Sequence, residues 1–340
     1  MSSWVSSNFA VHATEFSPFH GDLLLMGAAQ YYGITGNGKA QVFLFQNGQW
    51  VPQVEFLTQD GVYDVAWSEE NEHVFASCQG DGTLKIFDVK QPRGPLLSIR
   101  AHEQEVYAVH WNCHIRNLLC TASWDKSNAV FDLNTGQVTT RYRSHTSVGY
   151  HACWSPHHGT MFASVGGDGC LFIYDLKTPA NTRPAQAIQA HQFEVLSGDW
   201  SKYDQNQFLT GSIDKTIRVW DLRKNNAPLA TLFGHQLAVR RIKTHPHKPQ
   251  LVGSVSYDMS VKMWDLSIMQ LVQSFDHHQE FVIGLDFSLF EAGLMVSGSW
   301  DRTMCIWNHE RGPPMPCPFP KLAGNGPAGS AAAAVGKGKA

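Results

Sequence analysis

The sequence predicts an all-β protein, a seven-bladed β-propeller whose last blade is closed by a strand from the N-terminus. Three observations predict it. A hydroxyl residue, an Asp four positions on and an aromatic six positions after that recur six times: Ser77/Asp81/Phe87, Thr121/Asp125/Phe131, Ser164/Asp168/Tyr174, Thr210/Asp214/Trp220, Ser254/Asp258/Trp264 and Ser297/Asp301/Trp307. Five of these Asp residues have a His 23 positions upstream, at His102, His145, His191, His235 and His278. The unit returns every 43 to 46 residues, the period of stacked four-stranded blades.

Three units end in Trp-Asp or Trp-Asn (Trp220-Asp221, Trp264-Asp265, Trp307-Asn308), which makes the array one of WD-repeat blades. The fixed offsets describe a buried polar chain. A His on the loop before the inner strand bonds the Asp of a tight turn, and the hydroxyl and the aromatic complete the set. An orphaned member would cost about 1–3 kcal/mol, so the residues recur together. The His residues, the hydroxyls and Asp81, Asp125, Asp168, Asp214, Asp258 and Asp301 are therefore assigned to structure, not catalysis.

The elements follow in order. Before the clear repeats lies a degenerate one, in which Val11-His12-Ala13-Thr14-Glu15-Phe16-Ser17 parallels Val62-Tyr63-Asp64-Val65-Ala66-Trp67-Ser68, with further strands at 23–28 and 41–45. That makes seven. Outer strands follow the Trp-Asp positions, as at 229–232 and 271–275, but after Trp307 comes Arg311-Gly312-Pro313-Pro314, which cannot continue a ladder. The missing outer strand is expected from residues 2–8, with Trp4-Val5, since an unpaired edge is a liability. The propeller is expected to occupy 1–310, and 311–340 to be a Pro-rich and then Gly/Ala-rich tail without stable structure.

Composition narrows the function. With 43% hydrophobic and 16% charged residues and a net charge of −3, the chain reads as one compact soluble unit. No run of about 18 apolar residues could span a bilayer, and the first residues lack a signal-peptide pattern; a cytosolic protein with no direct membrane insertion is expected. Seven Cys residues without Cys-x-x-Cys pairing suit a reducing compartment. His157-His158, His277-His278 and His245-Pro246-His247 lack partners at ligand spacing, so neither metal nor cofactor is expected. There is no Gly-x-Ser-x-Gly, no phosphate-cradling loop and no carboxylate pair outside the network, so no enzyme is expected. Arg240-Arg241 with Lys243 and Lys248 is the only basic patch, too little for nucleic acid.

Further motifs go beyond the repeat. Phe16-Ser17-Pro18-Phe19 with Gln30-Tyr31-Tyr32-Gly33-Ile34-Thr35-Gly36-Asn37-Gly38, then Gly61-Val62-Tyr63-Asp64-Val65-Ala66-Trp67-Ser68-Glu69, resemble the family of WD-repeat peroxisomal import receptors for the type-2, N-terminal targeting signal. So do Phe193-Glu194-Val195-Leu196-Ser197-Gly198-Asp199-Trp200-Ser201-Lys202-Tyr203-Asp204, Ser256-Tyr257-Asp258-Met259-Ser260-Val261 and Asp276-His277-His278-Gln279-Glu280-Phe281. The resemblance spans roughly residues 9–308. Departures exist. The repeat Trp is Phe45, Phe87, Phe131 and Tyr174 in blades 1 to 4, and Thr58 stands where blade 2 would have its His. Blade 1 has Gly36-Asn37-Gly38 in place of the Asp turn, either a degenerate turn or a family-specific contact loop.

The resemblance implies cargo proteins bearing that signal, a peroxisomal co-receptor and docking proteins as partners, and cycling between cytosol and peroxisome. The signal is similar to Arg-Leu, five variable residues, then His/Gln-Leu; as a helix it sets both Leu on one stripe and the basic residues beside it. A receptor needs an apolar groove flanked by carboxylates. Residues three and five past each repeat His, and those preceding the turn Asp, lie at the rim of the Asp-turn face. They supply Tyr63, Glu105, Tyr107, Trp124, Tyr150, Glu194, Leu196, Tyr257, Phe281 and Trp300, expected as exposed aromatic anchors with two carboxylates for the signal Arg. The alternative is a generic WD-repeat scaffold or substrate adaptor in a multiprotein complex.

Overall fold

Seven four-stranded antiparallel sheets follow one another along the chain of the computed structural model, which describes residues 2–178 and 183–319. Blade 1 runs through Ala10–Phe16, Leu23–Ala29, Gly38–Gln46 and Gln49–Thr58. The inner strands of the others are Val62–Trp67, Val106–Trp111, Gly149–Trp154, Val195–Trp200, Val239–Thr244 and Val282–Phe287. Blade 7 takes its fourth strand from the N-terminus: Ser3–Ser6 runs antiparallel to Thr303–Asn308, with Trp4 opposite Cys305 and Val5 opposite Met304. The predicted closure is therefore present. Residues after Arg311 turn back on this strand, where the Trp4 indole donates to the Met315 carbonyl and the Met315 amide to the Ser2 hydroxyl. The Gly/Ala-rich part of the tail, from residue 320, lies outside the described residues.

No single core holds the ring. Seven apolar clusters lie between consecutive blades, each shared by two sheets. The second strands are lined with Ala, Gly, Ser and Cys because the next blade's inner strand packs directly on them. At Gly298 an added Cβ would lie 2.5 Å from Val11 Cγ1 of blade 1, well inside van der Waals contact, so this seam requires glycine. Inner-strand acceptors tie blade to blade: Glu15 accepts from the Trp67 amide, Asp64 from Val109, Asp199 from Thr244 and, across the closure, Asp286 from Phe16. Arg241 pairs with Asp64 at 2.9 Å although blades 6 and 2 are not neighbours, so its side chain crosses the central channel.

The His–Asp–hydroxyl part of the repeat network forms in five blades, whereas the Trp307 indole of blade 7 finds no hydrogen-bond partner among the described residues. In blade 6, His235 Nδ1 meets Asp258 at 2.9 Å, its Nε2 meets the Ser254 hydroxyl at 2.7 Å, and the Trp264 indole donates to that hydroxyl at 2.8 Å. His102, His145, His191 and His278 repeat the pair with Asp125, Asp168, Asp214 and Asp301 at 2.8–3.0 Å. In blade 2, Thr58 bonds the Asp60 carbonyl instead, and Gln79 takes over the His role, donating to Ser77 while accepting from Thr83, which also holds Asp81.

One alignment needs correction. The buried aromatic of blade 1 is Phe43, opposite Leu24 as Phe87 is opposite Phe75. Phe45 is 42% exposed and rests on Trp50. The blade 1 hairpin is longer than the others and turns at Asn47-Gly48, both with positive φ, a turn that fits its strand twist.

Candidate functional site

Because each blade presents its Asp turn and the start of its inner strand at the same end, the predicted rim residues converge on one mouth of the central channel. Tyr63 packs on Tyr107, which stacks on Trp124 at 5.3 Å and meets Tyr150 edge-on. On the other side Tyr257 stacks on Phe281 at 4.7 Å, and Phe281 lies 5.4 Å from Trp300. His12 joins the halves, 5.4 Å from Tyr63 and 5.6 Å from Trp300. The outcome is an aromatic arc around the mouth, interrupted in blade 5, where Leu196 is buried.

Exposure differs from the expectation. Tyr63, Tyr150, Leu196, Phe281 and Trp300 are all buried, because the inner strands approach one another and their first side chains fill the mouth instead of standing above it. Tyr107, Trp124, Tyr257, Glu105 and Glu194 are half-buried. The free apolar surface sits one residue earlier in the loops, at Phe193 and Leu237, and in blade 1 at Tyr31 and Ile34, 70% and 72% exposed. Exposure of this kind is not encoded in the repeat, although Phe193 and Leu237 both stand two positions past a repeat His, a position as regular as those three and five past it.

The blade 1 loop is built to hold Tyr31 and Ile34 outward. Tyr31 and Tyr32 both adopt left-handed backbone, with φ of 44° and 62°, a conformation bulky side chains avoid. It is over-determined from three sides. Gln30 accepts from the Asn37 amide, the Tyr63 hydroxyl donates to the Gly33 carbonyl, and Tyr32 lies 5.1 Å from Trp300. The Asp-to-Gly change in blade 1 thus accompanies a defined loop.

Carboxylates gather on this face in blades 2 and 3, and the Asp turns of blades 3, 5 and 7 add exposed Lys126, Lys215 and Arg302. Burial raises the Asp60 carboxyl above its ordinary value, and Asp81 and Glu105 add to the rise; burial and Asp301 do the same to Glu280. Three carboxylates of blades 2 and 3 therefore share one field. Burial pushes the phenols of Tyr63, Tyr107 and Tyr150 up as well, so they stay neutral hydrogen-bond donors. At the turn Asp residues, burial acts to raise the pKa, but the hydrogen bond from the repeat His wins and holds Asp125 and Asp258 below the carboxylate range.

One cluster on the opposite face has the composition of a metal site: His245, His309 and Glu310, with the two Nε2 atoms 3.4 Å apart. Hydrogen bonding argues against it. His245 stands where most blades have Ser, as at Ser155 and Ser201, and its Nδ1 accepts from the His247 and Lys248 amides as those hydroxyls accept. Nδ1 is thus bare, Nε2 carries the proton, and no lone pair remains for a cation. The proton is donated to His309 Nε2, whose Nδ1–H reaches Gln273.

The chain resembles known proteins along most of its length. The family model "WD domain, G-beta repeat" matches residues 51–88, 93–132, 136–175, 182–221, 226–265 and 269–308. Each matched unit joins the outer strand of one blade to the first three of the next, which is why six matches accompany seven blades. The peroxisomal targeting signal 2 receptor of Mus musculus is 40% identical, covering 87% of this chain and 93% of that protein. That of Dictyostelium discoideum is 42% identical, covering 84% and 91%. Peroxisome biogenesis protein 7 of Arabidopsis thaliana is 40% identical, covering 90% and 97%. Among solved structures the WD40 β-propeller domain of Doa1 superposes with a TM-score of 0.78 over 92% of this chain and 96% of that one, at 16% identity, a likeness of fold alone.

Proposed function

The chain belongs to the WD40-repeat family of peroxisomal targeting signal 2 receptors, and we propose that it captures the helical type-2 signal of matrix proteins on the Asp-turn face and, with a co-receptor, delivers them for import. On this reading it is a receptor, not an enzyme, and it cycles between cytosol and peroxisome. The observation that carries the reading is the composition of that face: an aromatic mouth with Phe193, Leu237, Tyr31 and Ile34 projecting around it, and carboxylates at Asp60, Glu105, Glu194 and Glu280. An amphipathic helix with a Leu stripe beside an Arg is its chemical complement. Among the described residues no helix is long and apolar enough to cross a membrane, so delivery to the organelle falls to partners: the co-receptor, covering part of the signal helix, and docking proteins.

The test is a fluorescence-anisotropy titration of the full chain with a labelled type-2 signal peptide, with and without the co-receptor. Replacing the signal Arg by Glu removes one charge-assisted pair and creates a like-charge contact, and is expected to weaken binding at least tenfold, about 1.4 kcal/mol. Equal affinity for the two peptides would remove the electrostatic half of the proposal. No binding with or without co-receptor would leave a WD-repeat adaptor of other partners.

A further inference from the structure

Arg240 is the one cation at seven equivalent positions around the mouth. The others are His12, Tyr63, Tyr107, Tyr150, Leu196 and Ile283, and His12 is held neutral by burial and by Arg240 and Arg241, its pKa lowered to about 3. The two basic residues that follow on the same strand are neutralised: Arg241 by Asp64 at 2.9 Å and Lys243 by Asp286 at 3.6 Å. Arg240 is 3% exposed, yet among the described residues no carboxylate lies within 4.0 Å of it. What surrounds it is aromatic. Its guanidinium sits 5.3 Å from the centre of the Tyr107 ring, and the Tyr257 and Tyr150 phenols lie in its field.

A buried guanidinium without a counter-ion is an unusual arrangement, because removing a charge from water is strongly unfavourable unless an opposite charge meets it. Neutral phenols and a π-face compensate only in part. The planar fork of Arg matches a carboxylate, and this one belongs to the ring of side chains that fills the mouth. Resting on the cargo reading above, we infer that Arg240 is a specificity determinant: it receives the carboxylate of an acidic residue at one of the five variable positions of the bound signal. The signal helix then spans two charges, its conserved cation on the acidic rim and its variable anion on the buried Arg. Among sequences that satisfy the Arg-Leu and His/Gln-Leu ends, the receptor thereby prefers those with Asp or Glu facing the channel and disfavours Lys there.

The experiment uses the full chain and labelled type-2 signal peptides in which each variable position in turn is Glu, Gln or Lys. At one position Glu is expected to bind at least tenfold tighter than Gln, and Lys weaker than both. That preference disappears in Arg240→Met, which keeps the aliphatic stem, and turns toward Lys in Arg240→Glu. A Glu-to-Gln ratio below twofold at all five positions in the unsubstituted protein overturns the inference without relying on any variant folding, as does a preference that survives in a folded Arg240→Met. Failure of every peptide to bind sinks the cargo reading and this inference together. Binding without an acidic preference sinks this inference alone.

Discussion

Lowering the pH from 7.5 to 5.5 should cost this propeller about 4 kcal/mol through three buried histidines alone. His12, His151 and His245 are buried. Burial first, then neighbouring cations or imidazoles, lowers their pKa values: His12 to about 3, His245 to about 4, and His151 well below its usual value. Their folded values lie below their unfolded ones, so the unfolded chain takes up protons first and stability falls as pH drops below about 6.5. At pH 5.5 an unfolded His of pKa about 6.5 is some ten-elevenths protonated while these remain neutral, a loss of about 1.4 kcal/mol each relative to pH 7.5. The turn Asp residues do not contribute in this window. Their folded pKa values are depressed, so what they add is lost only as pH falls below about 4. Urea midpoints across the pH range measure the effect directly. His245→Ser, which installs the side chain most other blades use, and His12→Tyr, which copies Tyr63, should each remove about 1.4 kcal/mol of the dependence. A flat midpoint between pH 7.5 and 5.5, or an unchanged slope in the double variant, would refute the reasoning.

Two further outcomes test the blade assignment. Phe43→Ala should cost about 3–5 kcal/mol and Phe45→Ala less than about 1 kcal/mol, read as urea midpoints, since only the former leaves a core cavity; equal losses would return Phe45 to the repeat position. Deleting residues 2–8 should lower the thermal midpoint and expose the edge of Thr303–Asn308 to aggregation, whereas deleting 324–340 should leave the midpoint and cargo binding unchanged. A drop for the tail alone would overturn the closure.

Much of this was legible because the repeat fixes several side chains at once. A His, an Asp and a hydroxyl at constant offsets are needed only when they meet, and they do. The missing strand after Trp307 likewise pointed to Trp4 and Val5. What escaped reading depends on geometry that spacing does not encode. Phe43 is hidden because blade 1 has no turn Asp from which to count the aromatic, Gly36-Asn37-Gly38 standing there instead. Gln79 replaces a His from a different strand position, so no offset reveals it. The mouth aromatics are buried because seven inner strands converge, and the solitude of Arg240 emerges only when charges from blades 2, 6 and 7 are placed around one channel. Tyr31 and Tyr32 in left-handed backbone carry no sequence signal, since aromatics are not residues from which one expects that conformation.

The pairing of Ser3 with Ile306 also sets a clock. Blades 1 to 6 can assemble in order as the chain leaves the ribosome, each new inner strand covering the small-residue strand behind it. The seventh sheet cannot be completed until some three hundred residues have been synthesised and the two ends find each other. Until then Gly298 has no Val11 to pack on, Asp286 has no Phe16 amide, and both flanks of the unclosed array display apolar surface. Closure of so long a loop is slow by topology. The interval between synthesis of Thr303–Asn308 and ring closure is therefore the period in which this protein is most open to misassembly, and stabilising substitutions at the seam of blades 7 and 1 should raise the yield of folded protein more than equal gains elsewhere in the ring.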